Sequence, residues 1–182
     1  MLMSLLHPRP IVNGYSDGAC KRNPGPGGWG AVLYAPCNDN PKLTFRFVDY
    51  GGKKQTTNQE MELTAFLNLL DICKGSDHYV LHTDSIYVVE ALLGKGVRKG
   101  EIKIGKKAGE AAFPGYISAW MAKGWKKADN GPVKHYHIWK GIVKAVGEVV
   151  SRGALSVKWV KGHAGIEGNE LADKLANLGV PK

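Results

Sequence analysis

The chain has 182 residues, 43% of them apolar, and a formal net charge of +9. That length favours one domain, and that apolar content sustains a packed core rather than a disordered chain. No apolar run reaches the roughly 18 residues of a membrane-spanning helix, so no membrane contact is expected. The three cysteines are too few and too scattered for a disulfide scaffold. Their odd number fits a reducing cytosol, and a cytoplasmic protein is expected.

Residues 1–10 lack the basic opening of a secretory signal and read as an N-terminal tail. Residues 11–17 read as a first strand that ends at Asp17. A turn rich in Gly and Pro follows, Cys20 to Gly28. Two further strands, Trp29 to Tyr34 and Leu43 to Tyr50, are joined by the turn-like residues 36–41, which favours an antiparallel meander. Asn58 to Cys73 has helical periodicity, with Asn58 as its cap. Tyr79 to Thr83 is a fourth strand, and it feeds a short helix from Ser85 to Leu93.

Residues 94–115 break the pattern, with six glycines among lysines and arginines, and read as a basic loop or short hairpin. From Lys95 to Lys144 there are 12 Lys/Arg and 3 Asp/Glu, so this segment alone carries the whole net charge. A neutral body with one basic segment suggests a polyanion-binding surface, although such a run can also be a solvated face. Tyr116 to Lys123 and Val133 to Val150 read as helices, Leu155 to Val160 as a fifth strand, and Glu167 to Leu178 as the last helix. Strands followed by alternating helices and strands imply a mixed sheet covered by helices.

Four acids stand out against this apolar background. Asp17 and Asp84 follow strand-like runs, Glu62 falls on a helical stripe with Phe66, Leu69 and Cys73, and Asp173 lies in a Leu-rich helix. Unpaired buried charge is strongly disfavoured, so such acids are paired or hold metal. Converging carboxylates would form a hard-oxygen site for divalent cations. Taken singly, Asp17 or Asp84 could cap a turn, and Glu62 could pair with an arginine. His163, between glycines in a loop, suits proton transfer. Gly25 to Gly30 matches GxGxxG by letter, but a strand rather than a helix follows, which argues against dinucleotide binding and for a tight strand connection. Glycine there would also let a polyanion backbone approach. His135 and His137 diverge if both are helical, so a zinc site is not expected.

The segments Tyr15–Gly30, Thr56–Leu63, Thr83–Ser85, Trp159–Gly165 and Asn169–Asp173 together resemble type 1 ribonuclease H. The resemblance implies an α/β ribonuclease H-like fold. That fold is a five-stranded mixed sheet, three antiparallel strands and then two parallel ones, flanked by helices. It implies one domain over residues 11–180, with a basic insertion at about 94–115 and a basic protrusion at about 116–134. It also implies an endoribonuclease that hydrolyses the RNA strand of an RNA–DNA hybrid duplex, leaving 5′-phosphate and 3′-hydroxyl ends. The cofactor would be Mg²⁺, two ions per site with substrate, with Mn²⁺ as the alternative ion, and the protein a monomer.

By the same resemblance, Asp17, Glu62, Asp84 and Asp173 match the metal-binding carboxylates, with Asp17 shared between the ions, and His163 matches a mobile histidine. Asn23, Asn58 and Gln59 match positions that read the minor groove, and Thr57 a pocket for a DNA-strand phosphate. Trp120, Trp125, Lys126 and Lys127 fall in the protrusion. Three departures stand out. Ile86 replaces a glutamine of close bacterial relatives, His135 an asparagine of the phosphate pocket, and the 94–115 insertion is additional. Its lysines would extend the nucleic-acid surface and offset a thinly charged protrusion; the alternative is a disordered loop. Two rival readings are a hybrid-binding module without activity and a strand-transfer enzyme on the same fold.

Overall fold

The computed structural model describes residues 10–37, 39–40, 43–75, 77–98 and 100–182. The expected N-terminal tail, apart from Pro10, lies outside them, as does part of the 36–41 turn. Eight strands and five helices are described: β1 (Ile11–Cys20), β2 (Gly25–Pro36), β3 (Thr44–Thr56), α1 (Asn58–Ile72), β4 (His78–Thr83), α2 (Ile86–Leu93), β5 (Glu101–Lys103), β6 (Gly105–Lys107), β7 (Glu110–Ala112), α3 (Tyr116–Ala122), α4 (Tyr136–Arg152), β8 (Ala154–Trp159) and α5 (Glu167–Gly179).

The main sheet runs β3-β2-β1-β4-β8-β5. β1, β2 and β3 form the antiparallel meander, while β1–β4 and β4–β8 pair in parallel. Helix α1 packs on one face, where Gly14 of β1 meets Leu69 and Leu81. Helix α5 packs on the other, where Gly168 lies against the ring of Tyr15. Most of the core lies on the α1 side, among α1, α2, α4 and the sheet. Beneath α5, Val32, Ala172 and Leu175 form a smaller cluster, with Tyr15, Tyr34 and Leu171 packed against it.

The sheet has six strands rather than the expected five. The sixth, β5, lies in the 94–115 segment and pairs antiparallel with β8. Ile104 follows it, donates its N–H to the Leu155 carbonyl at 2.8 Å and is only 2% exposed. The sequence Ile102-Lys103-Ile104 carries the alternation of a half-buried strand, but it is too short to stand out among glycines and lysines. β6 and β7 then form a hairpin whose turn residues Ala108 and Gly109 both have positive φ, the signature of a tight hairpin turn. The hairpin alternative for this segment is therefore the observed one.

Other boundaries shift for local reasons. β1 continues to Cys20 because Gly18, Ala19 and Cys20 pair with Trp29, Gly28 and Gly27, so Asp17 lies inside the strand rather than at its end. Thr57, not Asn58, caps α1, accepting from the Glu60 N–H. α4 begins at Tyr136 rather than Val133, since Val133 bonds back to the Trp125 carbonyl and His135 takes a left-handed φ of 56°.

Candidate active site

The C-terminal ends of β1 and β4 lie side by side, and α1 and α5 close over them from opposite faces. Asp17 points from β1, Asp84 follows β4, Glu62 comes from the first turns of α1, and Asp173 comes from α5. Two close approaches bring these elements together. A Cβ on Gly18 would lie 2.3 Å from the Glu62 nitrogen, so only glycine lets β1 press against α1 beside Asp17. A Cβ on Gly30 would lie 2.4 Å from the Ala172 carbonyl, so glycine in β2 lets α5 settle with Asp173 facing the strand partner of Gly30, which is Asp17. The glycines of the 25–30 segment thus serve helix docking inside a strand, which was not foreseen from the sequence.

The carboxylates act on one another. Asp17 is pushed up to about 8, first by burial and then by the charges of Asp84, Asp173 and Glu62, although the Gly18 N–H donates to it at 2.7 Å. Glu62 is raised by burial and held down in part by hydrogen bonds from the Ser85 hydroxyl and, at 2.7 Å, the Asn58 amide. Burial also raises Asp84, while the Asn169 side chain donates to it and His163 lies near enough to pull it back. His163 is exposed on the β8–α5 loop with a left-handed φ of 51°. Among the described residues, no three His, Cys, Asp or Glu side chains are drawn tightly enough together to hold a metal ion as they stand. The donor chemistry nonetheless fits a hard divalent cation: the four acids are oxygen ligands, and their mutual repulsion is what a cation relieves.

Three supporting residues were not singled out from the sequence. Ser85 caps α2 and also donates to Glu62, so one hydroxyl ties helix and carboxylate together. Its capping role was legible from its place before a helix, but its long-range bond was not. Asn169 is 2% exposed, and it precedes Asp173 by four residues on the same face of α5, a spacing that would have flagged it. His82 lies two residues before Asp84, stacked on Tyr15 at 4.4 Å and bonded to Asn13 at 3.1 Å. Burial, then the Lys158 charge, push its pKa down to about 4, so the layer beneath the carboxylates stays neutral.

A second group surrounds the start of α1. Asn23 accepts from the Asn58 N–H at 3.2 Å, Gln59 accepts from Lys134 at 3.2 Å, and Thr57 is the cap. His135 sits close to Glu60 and Lys53, with its Nε2 buried and unpartnered and its pKa lowered first by burial. Within residues 116–134 a bridge joins Lys126 and Pro132, and Lys127 pairs with Asp129 at 3.2 Å. Trp125 is half-buried, with a left-handed φ of 66°. Trp120 is half-buried too, stacked on Tyr116 and set edge-on to Trp139. Ile86 is exposed at the first turn of α2.

The sequence model of the RNase H family matches residues 9–180. The chain belongs to the ribonuclease H family. It is 40% identical over 171 residues to a ribonuclease HI of Caulobacter vibrioides, covering 94% of this chain and 93% of that one. It is 38% identical over 169 residues to a ribonuclease H of Bordetella bronchiseptica, covering 93% of this chain and 88% of that protein. Among solved structures, LC9-RNase H1, a type 1 RNase H with the type 2 active-site motif, superposes with a TM-score of 0.70 at 25% identity. That match covers 96% of this chain and 74% of the other. Ribonucleases H depend in general on divalent metal ions, and no helix among the described residues is long and apolar enough to cross a membrane.

Proposed function

We infer that this chain is an endoribonuclease that hydrolyses the RNA strand of RNA–DNA hybrids and leaves 5′-phosphate and 3′-hydroxyl ends. The observation that carries the reading is Asp17, half-buried and pushed up to about 8 by burial and by three further carboxylates from separate elements, in a chain of the ribonuclease H family. Two Mg²⁺ ions, or Mn²⁺ in their place, would activate the attacking water and stabilise the leaving oxyanion when bound. Asp17 would hold both, Asp173 the one on the water side, and Glu62 with Asp84 the other. Ser85 and Asn58 fix the Glu62 carboxylate, and Asn169 fixes Asp84, so these ligands are aimed before substrate arrives. His163, on its exposed loop beside Asp84, passes a proton at its imidazole nitrogen or helps product leave.

Recognition works by sugar chemistry and shape. Asn23, Asn58 and Gln59 face the minor groove, where the 2′-hydroxyl tells RNA from DNA. Thr57 and His135 grip a phosphate of the DNA strand. Trp120, Trp125, Lys126 and Lys127 carry that strand across the protrusion. Residues 11–180 act as one domain, the protein works as a monomer, and its three free cysteines suit the cytoplasm.

The test is cleavage of an end-labelled hybrid in Mg²⁺, with duplex DNA as a control, by wild type and Asp17→Asn. Wild type is expected to cut the hybrid alone, and the variant to be slower by about 10²–10³-fold or more, the cost of losing one preorganised electrostatic group. Equal rates in the two proteins would remove the metal-site assignment. Hybrid binding without cleavage in wild type would favour a binding module, and cutting of duplex DNA would favour strand-transfer chemistry.

A further inference from the structure

The β6–β7 hairpin of the insertion lies against α4. Gly109 of its turn and Glu110 of β7 share a cleft with Met121 of α3 and with Val143, Lys144 and Gly147 of α4. An adjoining cleft places Lys107 beside Ser118 and the same Met121. Lys107 and Lys144, distant in sequence, therefore flank one patch of surface. Lys107 and Lys144 are both exposed. Glu110, the register partner of Lys107, is the acid that the hairpin itself sets against them.

From this patch α4 leads back to His135. Tyr136, Lys140 and Lys144 recur every four residues, which lines them up along one side of the helix. All three are exposed, and the Lys140 ammonium sits 5.1 Å from the centre of the Tyr136 ring. No acid occurs between Pro132 and Gly147. At 1.5 Å per residue the line is about 12 Å long. A duplex carries one phosphate per strand in about 3.4 Å of axis, so the line spans roughly three or four phosphates.

We propose that the insertion prolongs the DNA-strand track: Lys107 and Lys144, reached along α4 through Tyr136 and Lys140, bind backbone phosphates of the hybrid beyond the pocket at Thr57 and His135. This rests on the hybrid-cleaving reading above and adds a flanking contact to it. Such contacts position the duplex and raise affinity without reading sequence. β5 and the buried Ile104 hold the hairpin to the edge of β8, so its lysines stand on a packed base and less order has to be imposed on binding.

Deleting residues 95–109 would strip β5 and Ile104 from the sheet and would test folding more than binding. Charge removal is cleaner. Lys107→Gln and Lys144→Gln are combined in an Asp17→Asn background, and binding is measured across salt concentrations. One probe is a short hybrid that reaches only the carboxylates and the phosphate pocket; the other is a hybrid long enough to pass α4. For the long hybrid, affinity at low salt is expected to fall about tenfold, and the slope of log affinity against log salt to shrink by up to about 0.9 per lost contact. Affinity for the short hybrid should hold. A control with the same loss of charge, Lys74→Gln and Lys182→Gln, should leave both unchanged. Unchanged long-hybrid affinity, or an equal loss in the control, would overturn the proposal. Cleavage of the short hybrid by wild type keeps the two readings separable, since its failure would sink the hydrolase reading itself.

Discussion

At the carboxylate end of the sheet, four acids are held close together, against the repulsion of their charges, by backbone approaches at Gly18 and Gly30. Along the basic flank, lysines lie apart on an exposed hairpin strand and one side of α4. The first arrangement depends on position: Gly18 and Gly30 set the spacing of whole elements, and hydrogen bonds aim individual oxygens. The second, in the proposed role, would depend on charge count and reach, because phosphate contacts are largely electrostatic. Close packing thus surrounds the carboxylates, whereas the proposed recognition surface rests on exposed charge.

The largest effect that would sharpen this contrast is pH dependence of the metal-free fold. Asp17 is pushed up to about 8 from an ordinary value of 3.8. Between those values the folded chain keeps a proton that the unfolded chain releases. The contribution of Asp17 to stability is therefore fully present below about pH 4 and is lost as pH rises through about 8. Urea midpoints in a chelator should fall across that window and recover on adding Mg²⁺, and Asp17→Asn should flatten the profile. A midpoint that rises with pH in the chelator would contradict the assigned repulsion. Lysine substitutions on the flank should leave the profile alone.

Next comes Gly18→Ala. Its Cβ would press into the Glu62 backbone, and overpacking of this kind costs about 1–3 kcal/mol. Cleavage should fall as well, since β1 and α1 must part. A variant with wild-type stability and rate would show that the close approach is not what sets the site. The smallest effect is Ser85→Ala, which loses a cap worth about 1 kcal/mol together with the bond to Glu62. Its signature is a lower kcat with thermal stability reduced only slightly, and a loss confined to stability would argue against any role in aiming Glu62.

Much of this organisation was legible in the sequence, for identifiable reasons. Carboxylates stand out when apolar residues surround them, so the four acids were visible one by one, and the structure brings them to one end of the sheet. The long periodic segments of α1, α4 and α5 were visible as well. What stayed hidden is short or long-range. β5 has three residues, and its alternation is buried among lysines and glycines. The docking role of Gly30 depends on a helix far along the chain. The start of α4 depends on a left-handed His135, where no glycine gave a warning. The bond from Ser85 to Glu62 joins two elements whose meeting only the folded sheet creates.

The way α5 is seated has a further consequence. Glycines in β2 let it lie close, but glycines bring no side chains, and the cluster of Val32, Ala172 and Leu175, with Tyr15, Tyr34 and Leu171 around it, is smaller than the core on the α1 side. An element with less apolar burial opens locally at lower free energy than the core on the far side of the sheet. Asp173 leaves with it. Amide exchange should therefore be faster in α5 than in α1, and the fully armed state of the enzyme is a population set by the docking of one helix, which bound metal would raise by mass action.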